Sequence, residues 1–551
     1  MGKGGGARAV ALGILTSRLF GLVREKCVAY FFGVGPHADV WRTAFRAPNV
    51  IQNLLGEQTL SAAFIPIYSR LLGEGREEEA GRFAGAIFGL LTAVVAAAVL
   101  IGVMLAAPLV AVLAPGYLDD GTAVAAGELA VDRYPLAVTA ARIIFPMTGL
   151  LVLSAWALGI LNSHRRFFLP YFAPVLWNSA IIGGLVLAAG GSGAFGEAFE
   201  PSLADQNRWL FAACLGALVG GALQFGVQLP LVLRLSRGLR PSLSLAVPGV
   251  RRALAAVGPA LAGRGVVQLG FYVDLFLASL LAAGAVAGVG WAAILAGLPL
   301  SVFGMAVAAA ELPEMAREDP AKARPAIARR VDRGVRQVGF VILPATVGYL
   351  AFGLLVVALL FEGGEFGRED AFLVAAVLAG YTIGLPASTI SRLLQNTFFA
   401  LGDTRTPARG AAVRLVTAAI LGFATMWWLD RHLVGEVFGL AEAPKGLRLG
   451  ALGLSLAAGV AGWVELVFLR RALSGPLPEL RLPGRHLLKR LALALLAALP
   501  AGISWWWVSD WNRQLQAVLV LGLFGGVYLA VAWFSGAPEL EQWLGRFGRR
   551  R

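Results

Sequence analysis

The sequence predicts an all-α polytopic membrane protein, and three observations carry that prediction. Apolar residues make up 58% of the 551 residues and charged residues only 15%, against about 25% charge in soluble domains. Mean hydropathy is +0.73, so a soluble fold would expose apolar patches far beyond the few hundred Å² that monomers tolerate. The apolar residues also fall in runs long enough to cross a bilayer core, which takes about 20 residues per helix.

Taken in order, the runs at 9–32, 40–70, 83–113, 136–161, 168–190, 209–233, 253–282, 286–312, 337–361, 371–400, 411–429, 449–469, 491–508 and 515–535 give fourteen spans. The N-terminus MGKGGGARAV is basic, and the run after it holds Ser17, Arg18, Arg24 and Glu25. It lacks the clean apolar stretch and small-residue cleavage site of a signal peptide, so the first span is expected to be retained. Gly56, Pro66, Pro146, Pro299, Pro313 and Pro386 lie inside spans and read as kinks.

The loops set the orientation. With the N-terminus inside, the inner loops and tails hold 32 Lys and Arg, and the outer loops hold 7, Arg133 among them. That is a strong positive-inside bias, and it puts both termini in the cytoplasm. The net charge of +14 is then a topology signal that also suits anionic membrane lipids, and no nucleic-acid partner is needed to explain it.

Chemistry of the catalytic kind is not evident. Cys27 and Cys214 both sit in apolar runs and offer no disulfide framework. His37, His164, His432 and His486 read as solvated loop residues, far apart and without metal-ligand spacing. No nucleophile elbow, phosphate-binding loop or zinc-protease motif occurs. Neither a metal nor another cofactor is expected.

Two features recur about 240 residues apart. FGVGPHADVWRTAF has a counterpart in FYVDLFLASLLAAGAVAG at 271–288, and LGILNSHRRFFLPYFAP at 158–174 has one in FFALGDTRTPARG at 398–410. The recurrence predicts two six-helix lobes in parallel orientation, a transporter signature, followed by two extra helices. The expected divisions are 1–235, 236–475 and 476–551, the last including a basic cytoplasmic tail.

A charge at the bilayer centre costs about 2.5–3.5 kcal/mol even on the lenient insertion scale. This chain places Arg18, Arg24, Glu25, Lys26, Asp39, Arg42, Arg46, Glu57, Arg142, Arg264, Asp274, Glu311, Arg392 and Glu465 within or beside spans. Most must line water or pair with one another. Arg42 and Arg46 are four apart and share a helix face, while a bend at Gly21 could bring Arg18 and Arg24 together. Such a cluster reads as an arginine-lined cavity for an anion, because the guanidinium fork binds phosphate oxygens bidentately and stays charged. The alternative is that these side chains snorkel to an interface or pair with Glu25 and Glu57.

The stretch TSRLFGLVREKCVAYFFGVGPHADVWRTAFRAPNVIQNLLGEQTLSAAFIPIYS at 16–69 resembles the MurJ/MviN lipid II flippases of the MOP exporter superfamily. GILNSHRRFFLPYFAPVLWN (159–178), LFEGGEFGREDA (360–371) and FFALGDTRTP (398–407) extend the resemblance over nearly the whole chain. It implies a bacterial inner-membrane carrier that moves lipid II, the undecaprenyl-pyrophosphate-linked disaccharide-pentapeptide, from the inner to the outer leaflet. It implies substrate contacts at Arg18, Arg24 and Asp39. A further family arginine falls on Gln52, where Arg42 or Arg46 could substitute, and another falls on Ile294, where Arg264 could. Asp274 matches an acidic sodium-site position, but the partner Asn and Asp fall near Thr417 and Leu421, which leaves coupling to a monovalent cation incomplete. Glu25 and Glu57 are the other candidate coupling groups. The protein is expected to act as a monomer and not as an enzyme. The rival readings are another exporter of the superfamily, for O-antigen carriers or for drugs and cations, and a polytopic glycosyltransferase. A drug–cation exporter should have an acidic cavity, and a transferase needs a large catalytic outer loop.

Overall fold

The computed structural model describes residues 3–192, 201–262, 265–299, 324–480 and 482–540. Among them the regular secondary structure is helical, apart from the isolated bridges Gly363–Phe366 and Leu433–Arg448. It divides into two compact units, Met1–Leu280 and Leu281–Arg551.

The first unit holds α1 (Lys3–Phe32), α2 (Pro36–Leu55), α3 (Glu57–Ala63), α4 (Ile65–Gly73), α5 (Glu77–Met104), α6 (Ala106–Leu113), α7 (Asp120–Ala125) and α8 (Arg133–Ser163). It continues with α9 (Phe168–Phe172), α10 (Pro174–Gly191), α11 (Leu203–Gly226), α12 (Leu229–Leu235), α13 (Val250–Ala262) and α14 (Gly265–Ser279). The central element is α8, buried along most of its length, with α2, α5 and α11 packed around it and α10 against α11. Phe64, Tyr68, Phe83 and Trp156 anchor its core; Phe64 stacks on Phe83 at 5.5 Å, and Trp156 Nε1 donates to the Ala84 carbonyl at 3.2 Å. Gly81, Gly85 and Gly89 form a one-sided stripe on α5 along which the chain at 237–242 runs. A methyl group at any of the three would strike the carbonyl oxygen of Arg237, Arg240 or Ser242 within 2.2 Å.

The second unit holds α15 (Ala285–Pro299), α16 (Arg324–Phe361), α17 (Arg368–Ile383), α18 (Leu385–Ala400), α19 (Arg405–Leu429), α20 (Val434–Val437), α21 (Gly450–Leu473), α22 (Gly484–Trp507) and α23 (Arg513–Phe534). Here α19 pairs with α21, α21 packs on α17 and α18, and the last two helices pack on α16. Phe340, Phe352, Phe524 and Tyr528 form that last core, and Tyr528 Oη donates to the Phe340 carbonyl at 2.7 Å.

Several expected spans are broken. The run at 40–70 is interrupted at Gly56 and at Phe64, where Pro66 opens α4. The run at 83–113 breaks at Leu105, because Pro108 has no N–H and its ring crowds the carbonyl four residues back, on Met104. Pro386 accompanies a 42° bend between α17 and α18. Pro146, by contrast, lies inside an uninterrupted α8, and Pro313 lies outside the described residues. Among the described residues nine helices are long and apolar enough to cross a membrane, or ten if the bent pair is one span. The other four expected spans carry charges, break, or run outside the described residues, so fourteen is not reached by that measure. Helices α13 and α14, assigned above to the second lobe, fall in the first compact unit.

Candidate functional site

The first unit contains a cavity of about 540 Å³, within the range of roughly 300–1,000 Å³ typical of small-ligand sites. Its walls explain themselves from helical spacing. On α2 the lining residues are Trp41, Arg42, Phe45, Arg46, Asn49 and Gln52, which recur at spacings of three and four and so fall on one stripe. The stripe ends at Gly56, whose backbone folds back so closely that an added Cβ would lie 2.2 Å from the Gln52 carbonyl oxygen. Arg24 and Glu25 enter from α1, Ser154 from α8, Trp177 from α10 and Gln224 from α11.

Glu25 is the pivot. Its carboxylate accepts from Arg24 Nη2 at 2.5 Å through one oxygen and from Arg42 Nη2 at 2.5 Å through the other. The side chain of Glu25 is 4% exposed, whereas Arg24 and Arg42 keep 18% and 14%. The carboxylate is thus sealed behind two guanidinium groups that still reach the cavity. Arg24 is fixed twice more: Nη1 donates to Asn178 Oδ1 at 3.1 Å, and the guanidinium lies over the Trp177 ring at 4.9 Å. A buried ion pair is stable only when its remaining polar atoms are satisfied, and Arg24 Nε has no partner among the described residues. With Arg46 on the wall and Glu57 at the rim, the lining carries three cations against two carboxylates. An anion with several oxygens could balance that excess of positive charge.

Six of the sequence-chosen residues, Arg24, Glu25, Arg42, Arg46, Gln52 and Glu57, meet at this cavity. Gln52, where the resemblance implies an arginine, shares the wall with both proposed substitutes. Other candidates lie elsewhere. Helix α1 is continuous through Gly21, and along such a helix Arg18 sits about 120° around the axis from Arg24; it is exposed and does not line the cavity. Asp39 is fully buried and accepts from Arg133 Nη1 at 3.1 Å. Arg133 also grips both oxygens of Asp120, through Nε at 2.6 Å and Nη2 at 2.9 Å, and lies 4.3 Å from the Tyr117 ring centroid. Asp274 is half-buried on α14 and does not line the cavity. Arg264 lies outside the described residues. No group of three or more acidic, His or Cys side chains suited to a metal occurs among the described residues. His37, read as solvated, is buried and hydrogen-bonded to Asn207 at 2.8 Å.

The residues that the sequence reading missed are neutral: Asn49, Ser154, Trp177, Asn178 and Gln224. Amides in the middle of apolar runs were the available signal, since buried polar groups need partners.

Fold and cavity together define a polytopic helical carrier of the exporter and flippase class, with a cationic rather than acidic lining. The solved structure described as "Lipid II flippase MurJ, inward closed conformation" shares the fold, with a TM-score of 0.70 and 20% identity over 95% of this chain and 98% of that one. A multidrug resistance MATE family transporter of the MOP superfamily, inward-facing, matches with a TM-score of 0.54 and 16% identity over 84% of this chain and 95% of that one. The family model "Lipid II flippase MurJ" matches residues 28–524. A probable lipid II flippase MurJ from Rhizobium meliloti is 31% identical, covering 96% of this chain and 93% of its own length. The lipid II flippase MurJ of Burkholderia cenocepacia is 29% identical, covering 95% of each chain. The chain belongs to the lipid II flippase MurJ family.

Proposed function

We propose that this protein moves lipid II from the cytoplasmic to the outer leaflet of a bacterial inner membrane, and that the Arg24–Glu25–Arg42 cavity binds its pyrophosphate. Two guanidinium groups held on one buried carboxylate, with reach into a polar hollow, are the observation that carries this reading. An arriving diphosphate offers more oxygens than Glu25 does, so the arginines can share their donors with it. The polyprenyl chain stays in lipid while the headgroup crosses. Six helices in each of two lobes, plus two more, would expose the cavity to one side and then the other, with both termini cytoplasmic and the protein acting as a monomer.

Charge sets the energetics. Carrying a dianion outward against an inside-negative potential of about 100 mV costs about 4.6 kcal/mol, at about 2.3 kcal/mol per charge. The net positive lining offsets that term during transit, and return of the carrier with a monovalent cation could reset it. Asp274 is the candidate group for that cation, with Thr417 and Leu421 standing where the resemblance implies Asn and Asp.

The three cations on the wall argue against a drug–cation exporter. The test is rescue of cells depleted of their own lipid II flippase, with outer-leaflet substrate quantified. The wild-type chain restores translocation and Arg24→Ala does not. Full translocation by Arg24→Ala would remove the cavity from the mechanism.

A further inference from the structure

The second unit carries its own intramembrane charge cluster. Glu465 on α21 is 2% exposed at its side chain and accepts from Gln395 Nε2 on α18 at 2.8 Å and from Arg414 Nη1 on α19 at 3.3 Å. Arg414 is 40% exposed. Arg392, one turn before Gln395 on the same helix, is also exposed and lies within electrostatic reach of both Arg414 and Glu465. Among the described residues Arg392 makes no hydrogen bond or ion pair of its own.

Position gives this arrangement its meaning. Arg392 lies eight residues before the end of α18, Arg414 nine after the start of α19, and Glu465 eight before the end of α21. At 1.5 Å per residue each is about 12–14 Å from its helix end. Those ends lead into the basic segments with Arg405, Arg409, Arg470 and Arg471, the side that the positive-inside rule assigns to the cytoplasm. Two guanidinium groups therefore stand exposed at the depth of the inner leaflet, with a single carboxylate buried behind them. A net cation there is costly unless an anion meets it, and a long arginine can reach up to the headgroup layer.

We propose that Arg392 and Arg414 form a phosphate-binding site on the second unit, with Glu465 and Gln395 as positioning residues behind Arg414. The ligand is a lipid-borne phosphate at the inner interface, either the phosphodiester of an acidic phospholipid or the pyrophosphate of a polyprenyl carrier. The proposal does not rest on the cavity of the first unit.

The test uses the full chain in phosphatidylcholine nanodiscs, loaded in separate arms with phosphatidylglycerol or with undecaprenyl pyrophosphate, and retained lipid is counted by native mass spectrometry. Arg392→Gln with Arg414→Gln should lower retention at least fivefold in one arm, which also names the source. Arg471→Gln, on the exposed end of α21, should leave it unchanged. Arg392→Lys with Arg414→Lys keeps the charge but loses the fork and should fall between. A matched unfolding temperature for each variant separates lost binding from lost folding. Undiminished retention of both lipids by a folded Gln double variant overturns the proposal.

Discussion

Two ion clusters in the first unit use the same groups in opposite proportion. At the cavity, two arginines share one carboxylate, and both arginines keep part of their surface open. In the cluster of Asp39, Asp120 and Arg133, one arginine serves two carboxylates, and no side chain is more than 4% exposed. The second set is closed: Arg133 spends three nitrogens on its partners, and Tyr117, hydrogen-bonded to Thr43 at 3.0 Å, lies against it. The first set has two cations to one carboxylate and an opening beside them. Stoichiometry and access, rather than the presence of intramembrane charge, separate a joint from a site.

Breaking the joint should have the largest effect. Arg133→Met strands two buried carboxylates, and removing one partner of a buried pair costs about 3–5 kcal/mol. Thermal unfolding in detergent should show a steep fall, partly recovered when Asp39→Asn and Asp120→Asn are added. Breaking the site should be gentler on the fold and harder on function. Arg42→Ala removes a charge-assisted bond of about 1.5–3 kcal/mol, so pyrophosphate affinity should drop by about 10- to 100-fold while unfolding shifts less than in Arg133→Met.

Exchanging the proportion sharpens the contrast. Glu25→Gln leaves the arginines a neutral acceptor, so isothermal titration should show soluble pyrophosphate binding several-fold tighter, with slower translocation in vesicles as release becomes limiting. The smallest effect belongs to a helix cap in the second unit. Asp403 accepts from the Arg405 and Thr406 backbone N–H groups at 2.8 and 3.0 Å and from Thr406 Oγ1 at 2.6 Å, capping the start of α19. Asp403→Ala should cost about 1 kcal/mol. The Thr406 hydroxyl bond holds that carboxyl below its ordinary value. Its contribution is therefore complete above the ordinary aspartate range and fades as pH falls through the lowered value, which an acid-unfolding series of wild type against Asp403→Ala would show.

The comparison also explains what could be read from sequence. Arg24, Glu25, Arg42 and Arg46 were found because a charge in hydrocarbon is too costly to be incidental, and because a spacing of four puts Arg42 and Arg46 on one face. Asp39 passed the same filter but is withdrawn by Arg133, which one-dimensional counting assigned to an outer loop. The pairing joins residues 94 apart, a separation to which no helical period speaks. Asn178 and Gln224 carry no charge, so the cost argument did not register them. The helical class and most spans followed from apolar run length, whereas the breaks at Phe64 and Leu105 follow from prolines whose local effect depends on packing, as the unbroken helix around Pro146 shows.

The central claim is that the arginines sharing Glu25, and not those sealed with Asp39, hold the diphosphate. Binding of undecaprenyl pyrophosphate to the full chain in nanodiscs tests it most directly, with wild type, Arg24→Ala, Arg42→Ala and Asp39→Asn compared at matched folding. The account predicts at least tenfold weaker binding for both arginine variants and wild-type affinity for Asp39→Asn; arginine variants that bind as wild type does, beside an Asp39→Asn that does not, would contradict it.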